Sequence, residues 1–274
     1  MKLISLPIFS LIFTLNSTIL MSNPSFAQIQ PVYSNNKSSK KSTFRLPPPP
    51  PGKPPGGRSR GGGRRGPCPD LGTNPNLTAI VPFTQNTIKV GETEVLRENV
   101  WGLTTQASPQ FPFYVPFTEK DSLPTEFLLR DEESKEIIYQ SVVKLPNKPG
   151  VINISLPKTV KPLEENKNYR WYFNIYCETQ KPIPSLRVEG VVRRVKLSEE
   201  LATKINAAKP RDQVELYAAE GIWFNAINTL TKLREQEPEN KEFVENWQSL
   251  LESIKLSDIS EQPLVLRKKV TGNK

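Results

Sequence analysis

The stretch Tyr169 to Glu178, YRWYFNIYCE, is the densest aromatic run in the chain and holds the second of its two cysteines. Tyr169, Trp171, Phe173, Ile175 and Cys177 fall on alternate positions, and Arg170, Asn174 and Glu178 fall between them. That period of two belongs to a half-buried strand, and so much ring surface on one side requires a second layer to bury it. The pattern predicts the central strand of a β-sandwich, with Tyr172 and Tyr176 on its more polar face.

Around this strand, between residues 67 and 197, short runs of β-branched and aromatic residues alternate with turn signals. Strands are expected near Leu77 to Phe83, Thr93 to Leu96, Phe111 to Phe117, Thr125 to Arg130, Glu136 to Lys144, Val151 to Leu156, Tyr169 to Glu178 and Val188 to Lys196. Asp131 to Lys135, Pro146 to Gly150 and Pro162 to Asn168 supply turns. Leu163 precedes Tyr169 at the spacing at which immunoglobulin-like sandwiches place a tyrosine corner before their penultimate strand. The body is therefore expected to be an immunoglobulin-like β-sandwich.

At Ser198 the period changes to that of a helix. Ser198 with Glu199 and Glu200 reads as a capped helix start, and Asp212 with Glu215 as a capping box. Three helices are expected: Ser198 to Ala208, Asp212 to about Gln236 with a break near Gly221, and Asn240 to about Lys255. Tyr217, Gly221, Trp223, Ala226, Leu230 and Pro238 stand at the offsets of the second half of a tetratricopeptide repeat, while the first-half positions are unmatched. One partial repeat cannot bury its own face. Residues 198–264 are thus expected to form a docked tetratricopeptide-like helical appendage that packs on the sandwich, with the Tyr172 face as the expected place of cover. A basic tail, 265–274, follows.

Lys2, the apolar run Leu3 to Leu20 and the small residues Ser25 and Ala27 before Gln28 have the form of a signal peptide over 1–27; an uncleaved anchor is the alternative. No other apolar run reaches spanning length, so no transmembrane helix is expected after cleavage, and the chain is expected to be exported to the periplasm or beyond. In that oxidising setting Cys68 and Cys177 have one possible intramolecular pairing, and two buried thiols are the alternative. The disulfide would close a loop of about a hundred residues, on the order of 4 to 5 kcal/mol by chain entropy.

The net charge is +9, but nine basic residues and no acid lie between Lys37 and Arg65, and from residue 66 onward 27 basic residues face 28 acidic ones. The basic character sits in a Pro/Gly/Arg-rich segment, 28–66, whose composition predicts a disordered tether with a polyproline II stretch at Pro47 to Pro51. Arg58, Arg60, Arg64 and Arg65 resemble segments that bind RNA. An exported chain seldom meets nucleic acid, so the segment reads first as a plain solvated linker, and, where it binds, an anionic surface, an envelope glycan or an acidic protein patch is the expected partner.

Several strings together resemble the cyanobacterial exported family known as domain of unknown function 928. They are the Arg/Gly stretch before Cys68, LTAIVP at Leu77, FPFYVPF at Phe111, EFLLRD at Glu126, PGVINISLP at Pro149, PLEENKNYRWYFNIYC at Pro162, VEGVVRRV at Val188 and LYAAEGIWFNAINTLTKL at Leu216. Phe113 stands where a tryptophan is expected. The resemblance implies secretion, a β-rich body and helices at the C-terminus, and it brings no activity or ligand.

The chain has no histidine, which removes imidazole bases, Ser-His-Asp and Cys-His systems and histidine-ligated zinc. Two cysteines cannot make the usual four-thiolate metal site, and Gly61 to Gly63 lacks the spacing of a phosphate-binding loop. No cofactor, metal or catalytic residue is expected. Carboxylates remain: Asp131, Glu132 and Glu133, or Glu164 and Glu165, could serve a glycan hydrolase, although both clusters sit in turns. A calcium site at Asp131 to Glu133 lacks the usual ligand spacing. Tyr172 and Tyr176, with Arg170 and Asn174, could stack on sugars or take a partner's side chains, unless the helices cover them. The leading expectation is an exported, non-enzymatic binding or scaffolding protein. A carboxylate-dependent hydrolase and an assembly protein pairing through an edge strand are the alternatives.

Overall fold

The computed structural model describes residues 43–61, 75–177 and 183–265. The expected leader at 1–27, Arg64, Arg65, Cys68 and the expected basic tail from 266 on lie outside the described residues.

Among the described residues nine strands form two sheets, followed by four α-helices. Strands β1 (Thr78–Ala79), β4 (Gln110–Val115) and β7 (Gly150–Ser155) make a three-stranded sheet in that order. The other sheet has the order β2 (Phe83–Val90), β3 (Thr93–Thr104), β9 (Leu186–Arg194), β8 (Asn168–Ile175), β5 (Thr125–Asp131) and β6 (Ile137–Val142). The aromatic strand β8 lies inside this sheet, antiparallel to both β5 and β9. Its Trp171, Phe173 and Ile175 are fully buried. Phe113 of β4 stacks on Phe173 at 4.8 Å between ring centroids and meets Trp171 edge-on at 5.5 Å. Rings from facing sheets thus fill the space between the layers, the arrangement that the alternation in β8 requires. At the start of β8 the Glu164 N–H donates to the Tyr169 hydroxyl at 2.9 Å, beside a fully buried Leu163.

Two strands differ from the sequence reading. The stretch Leu77 to Phe83, expected as one strand, splits into β1 and the start of β2, and β3 continues past Leu96 to Thr104. Beyond the body, β2 and β3 form a hairpin exposed over most of its length and turning at Gly91. Residues held by a ladder rather than by burial carry no alternation to read.

The helices are α1 (Glu199–Ala207), α2 (Pro210–Ala219), α3 (Trp223–Gln236) and α4 (Lys241–Ser253). Ser198 caps α1 by accepting from the Leu201 N–H. The expected box at Asp212 and Glu215 does not open α2, because Pro210 already occupies its first turn and Lys209 is the N-cap.

Helix α3 packs into the core between the sheets. Trp223 is fully buried and its indole N–H donates to the Ile80 carbonyl at 2.8 Å. Phe224 meets Phe111 edge-on at 5.5 Å, and lies so close to Gly102 that a Cβ there would stand 2.8 Å from its ring. Asn225 binds Thr104 and Thr105, and Asn228 donates to the Gln110 carbonyl. The helices therefore extend the core between the sheets, and the expectation that they cover the Tyr172 face is corrected. Apolar α3 residues gain more by joining the core than by lying on a charged sheet face.

The expected disorder of 28–66 is also corrected where the chain is described. Phe44 is buried 4.9 Å from Trp223, and the Arg45 N–H bonds to Ala218 O. Farther along, Arg58 exchanges both backbone bonds with Glu189 of β9, the Ala79 N–H of β1 donates to Ser59 O, and the Gly61 N–H donates to Leu77 O. This short extended segment joins β9 of the larger sheet to the edge strand β1 of the smaller one. At Gly57, with φ of +132°, a Cβ would fall 2.6 Å from the Glu189 carbonyl and 2.9 Å from Val100 Cβ. Glycine here supplies clearance for a buried backbone, whereas composition alone suggests flexibility.

Candidate functional site

The segment Pro51 to Pro55 bounds one side of an open cleft of about 620 Å3. The opposite walls are the β5–β6 turn at Asp131–Lys135, the approach to β8 at Asn166–Asn168, and side chains from β3, β8 and β9. Six basic side chains, Lys53, Arg97, Lys135, Lys167, Arg170 and Arg193, line it against Asp131, Glu132 and Glu133.

The acids are largely committed. Arg170 grips Glu132 with both ends of its guanidinium, Nε to Oε2 at 2.9 Å and Nη2 to Oε1 at 2.8 Å, and also donates to the Pro55 carbonyl. Asp131 accepts from the Glu133 and Ser134 N–H groups at 2.8 and 2.9 Å, closing the turn. Burial is the largest single influence on Asp131 and Glu132 and works to raise both. The backbone donors and Lys167 outweigh it at Asp131, and Arg170 and Lys135 outweigh it at Glu132, so both stay below the ordinary carboxyl range. Exposed Glu164 is drawn down to about 2 by hydrogen bonds from Lys161 and Lys167, and Glu165 lies 3.7 Å from Arg194. A glycosidase needs one carboxyl raised to hold a proton at neutral pH. The shifts at Asp131, Glu132 and Glu164 run the other way.

Among the basic residues, Lys167 is shared with Glu164 and Arg193 donates to the Asn168 side chain. Lys53 and Arg97 have no ion-pair partner among the described residues. The balance of the lining is positive. Among the described residues no cluster of acidic or sulfur ligands suited to a metal occurs, and no helix is long and apolar enough to cross a membrane.

The residues singled out from the sequence are scattered. Arg58 is built into the sheet junction through its backbone, and the Arg60 guanidinium binds both oxygens of Asp258 at 2.7 Å. Tyr172 is buried, its ring flanked by the guanidinium groups of Arg130 and Arg187, each 5.1 Å from the centroid. Tyr176 donates to Glu126, and burial followed by the Glu126 charge raises its pKa. Cys177 donates its N–H to Ser185 Oγ, and no cysteine among the described residues is free. The cleft itself was missed. Its cations come from separate segments, and of them only Arg170, on the polar face of β8, stands out in the sequence, beside the carboxylates Asp131, Glu132 and Glu133.

No curated protein and no solved structure matches the chain. A family model described as Domain of Unknown Function (DUF928) matches residues 60–264.

Proposed function

The chain belongs to the DUF928 family, and we propose that it is an exported, non-enzymatic binding protein of the cell envelope whose basic cleft takes acidic polymers, with envelope glycans as the ligand class. The observation that carries this reading is the excess of cations in the cleft, where Glu132 is already consumed by Arg170 and Lys53 and Arg97 are left for an incoming anion. Low-dielectric walls concentrate such a field. The reading moves the anion-binding role from the Arg/Gly segment, whose Arg58 and Arg60 serve the fold, to the cleft.

The same proposal takes the body as immunoglobulin-like and the appendage as tetratricopeptide-like. Support comes from β4 and β7 paired opposite a sheet in which β8 lies between β5 and β9, and from the Tyr169 to Glu164 bond. The succession of α2 and α3 across the short connection at Gly221, with Ala218, Trp223, Ala226 and Leu230 buried, favours the second. A Cys68–Cys177 disulfide and a cleaved leader belong to this reading, and the absence of a free cysteine among the described residues favours the disulfide.

Calorimetric titration of the exported chain with polygalacturonate tests the cleft, with dextran as the uncharged control. Binding that weakens with added salt and falls at least about tenfold in Lys53→Glu/Arg97→Glu is expected. Equal binding by the double variant, or equal binding of dextran, overturns the reading.

A further inference from the structure

We infer that β6 is an assembly edge that pairs antiparallel with the β6 of a second copy. It is the last strand of the six-stranded sheet, and its sequence, IIYQSV, has no charge and no proline. Sheet edges are ordinarily blunted by such residues or covered by chain. This molecule covers others: β1 is paired to Arg60, and β7 is paired to Leu264. At the far end of the larger sheet, β2 carries Lys89. Only at β6 is the edge left both uncharged and, among the described residues, uncovered, with Ile137 55 % and Val142 87 % exposed.

The register decides which groups are available. Ser141 and Tyr139 stand opposite Phe127 and Leu129, and the Val143 N–H donates to Thr125 O, so Tyr139, Ser141 and Val143 turn their backbone groups toward β5. Gln140 and Val142 turn theirs outward. The irregularity between Leu129 and Arg130 falls at the start of β6 and leaves Tyr139 to Val142 regular. With Gln140 on a twofold axis, its N–H and C=O meet those of its counterpart. Val142 then lies toward Ile138 of the other copy, joining two apolar side chains on each side of the axis. The same register sets the Glu136 end of each strand beside the Lys144 end of the other, so opposite charges close both ends. A self-complementary edge of this kind is what a twofold interface requires, and it singles out a second copy over an unrelated strand.

Sedimentation velocity of the exported chain over a concentration series is the test. A concentration-dependent dimer is expected, and Val142→Lys, which alters an exposed side chain and sets a charge against the apolar Ile138 of the other copy, should weaken it about tenfold or more. Glu136→Lys and Lys144→Glu should each weaken it, and the two together should restore it. Thermal unfolding of each variant reports whether the monomer is intact, and Val95→Lys on the exposed hairpin should leave association unchanged. A monomer at every concentration, a dimer indifferent to Val142→Lys, or a double exchange that restores nothing overturns the proposal.

Discussion

Ser59 gives both its N–H and its hydroxyl to the carboxylate of Glu98, at 2.8 Å and at 3.1 to 3.2 Å. Ser59 is fully buried where the Arg58–Gly61 segment crosses between the sheets, so this one carboxylate satisfies donors that water cannot reach. Glu98→Ala should therefore cost about 1–3 kcal/mol by stranding those donors, and Glu98→Gln should cost less because one acceptor oxygen remains. Urea unfolding measures both. Deleting residues 43–61 should destabilise the body more than either substitution, whereas loss of a free tether would leave the midpoint unchanged.

Asp258 tests the same junction through pH. The hydrogen bond from Arg60 is the largest influence on its carboxyl, and with the Arg60 charge it outweighs burial and holds the group below its ordinary 3.8. A depressed carboxyl stabilises the fold above its unfolded pKa, and that contribution is lost as pH falls through the folded value. Asp258→Asn should lower stability at neutral pH by at most about 1 kcal/mol, since the pair is partly solvated. The gap to the parent chain should close progressively below pH 3.8. A gap that stays constant down to strong acid would show that the charge is irrelevant.

Trp223 and Trp247 are both fully buried but differ in one bond. The Trp223 indole N–H reaches the Ile80 carbonyl, while the Trp247 N–H finds no acceptor among the described residues and its ring lies 4.9 Å from the Arg234 guanidinium. Replacement by phenylalanine leaves a cavity at either site. Only Trp223→Phe also leaves a buried carbonyl unpaired, so it should cost about 1–3 kcal/mol more than Trp247→Phe in thermal or denaturant unfolding.

Arg170 ties Glu132 to the Pro55 carbonyl. Arg170→Lys keeps the charge but loses the two-pronged grip. Stability should fall by about 1–3 kcal/mol, and proteolysis within Pro51 to Pro55 should become faster. Glu132→Gln should lose less, as its amide oxygen still accepts.

The parts of the fold that announce themselves in the sequence are those whose surroundings differ from one side to the other. Strand β8 alternates because it has a core face and a polar face. The helices are visible because Ser198, Pro210 and Gly221 mark their ends. Residues Phe83 to Arg97 are exposed over most of their length, so no pattern marks them as a long hairpin. The Arg/Gly segment reads as disorder because a glycine kept for clearance and a glycine kept for freedom are the same letter. Nor can a sequence show that Lys53, Arg97, Lys167 and Arg193 face one cleft, because that meeting is made by sheet order and by where Pro51 to Pro55 runs.

The junction segment also fixes an order of events in time. Arg58 and Arg60 leave the ribosome well before Glu189 and Asp258, the residues they finally bond, and the Arg60 pair spans 198 positions. Closing so long a loop gains nothing until the far partners exist. The segment's bonds to Leu77, Ala79 and Glu98 need only chain that follows soon after, whereas those to Glu189 and Asp258 can close only once the last third of the chain exists. The segment is thus a bolt set early on one side and drawn across late on the other.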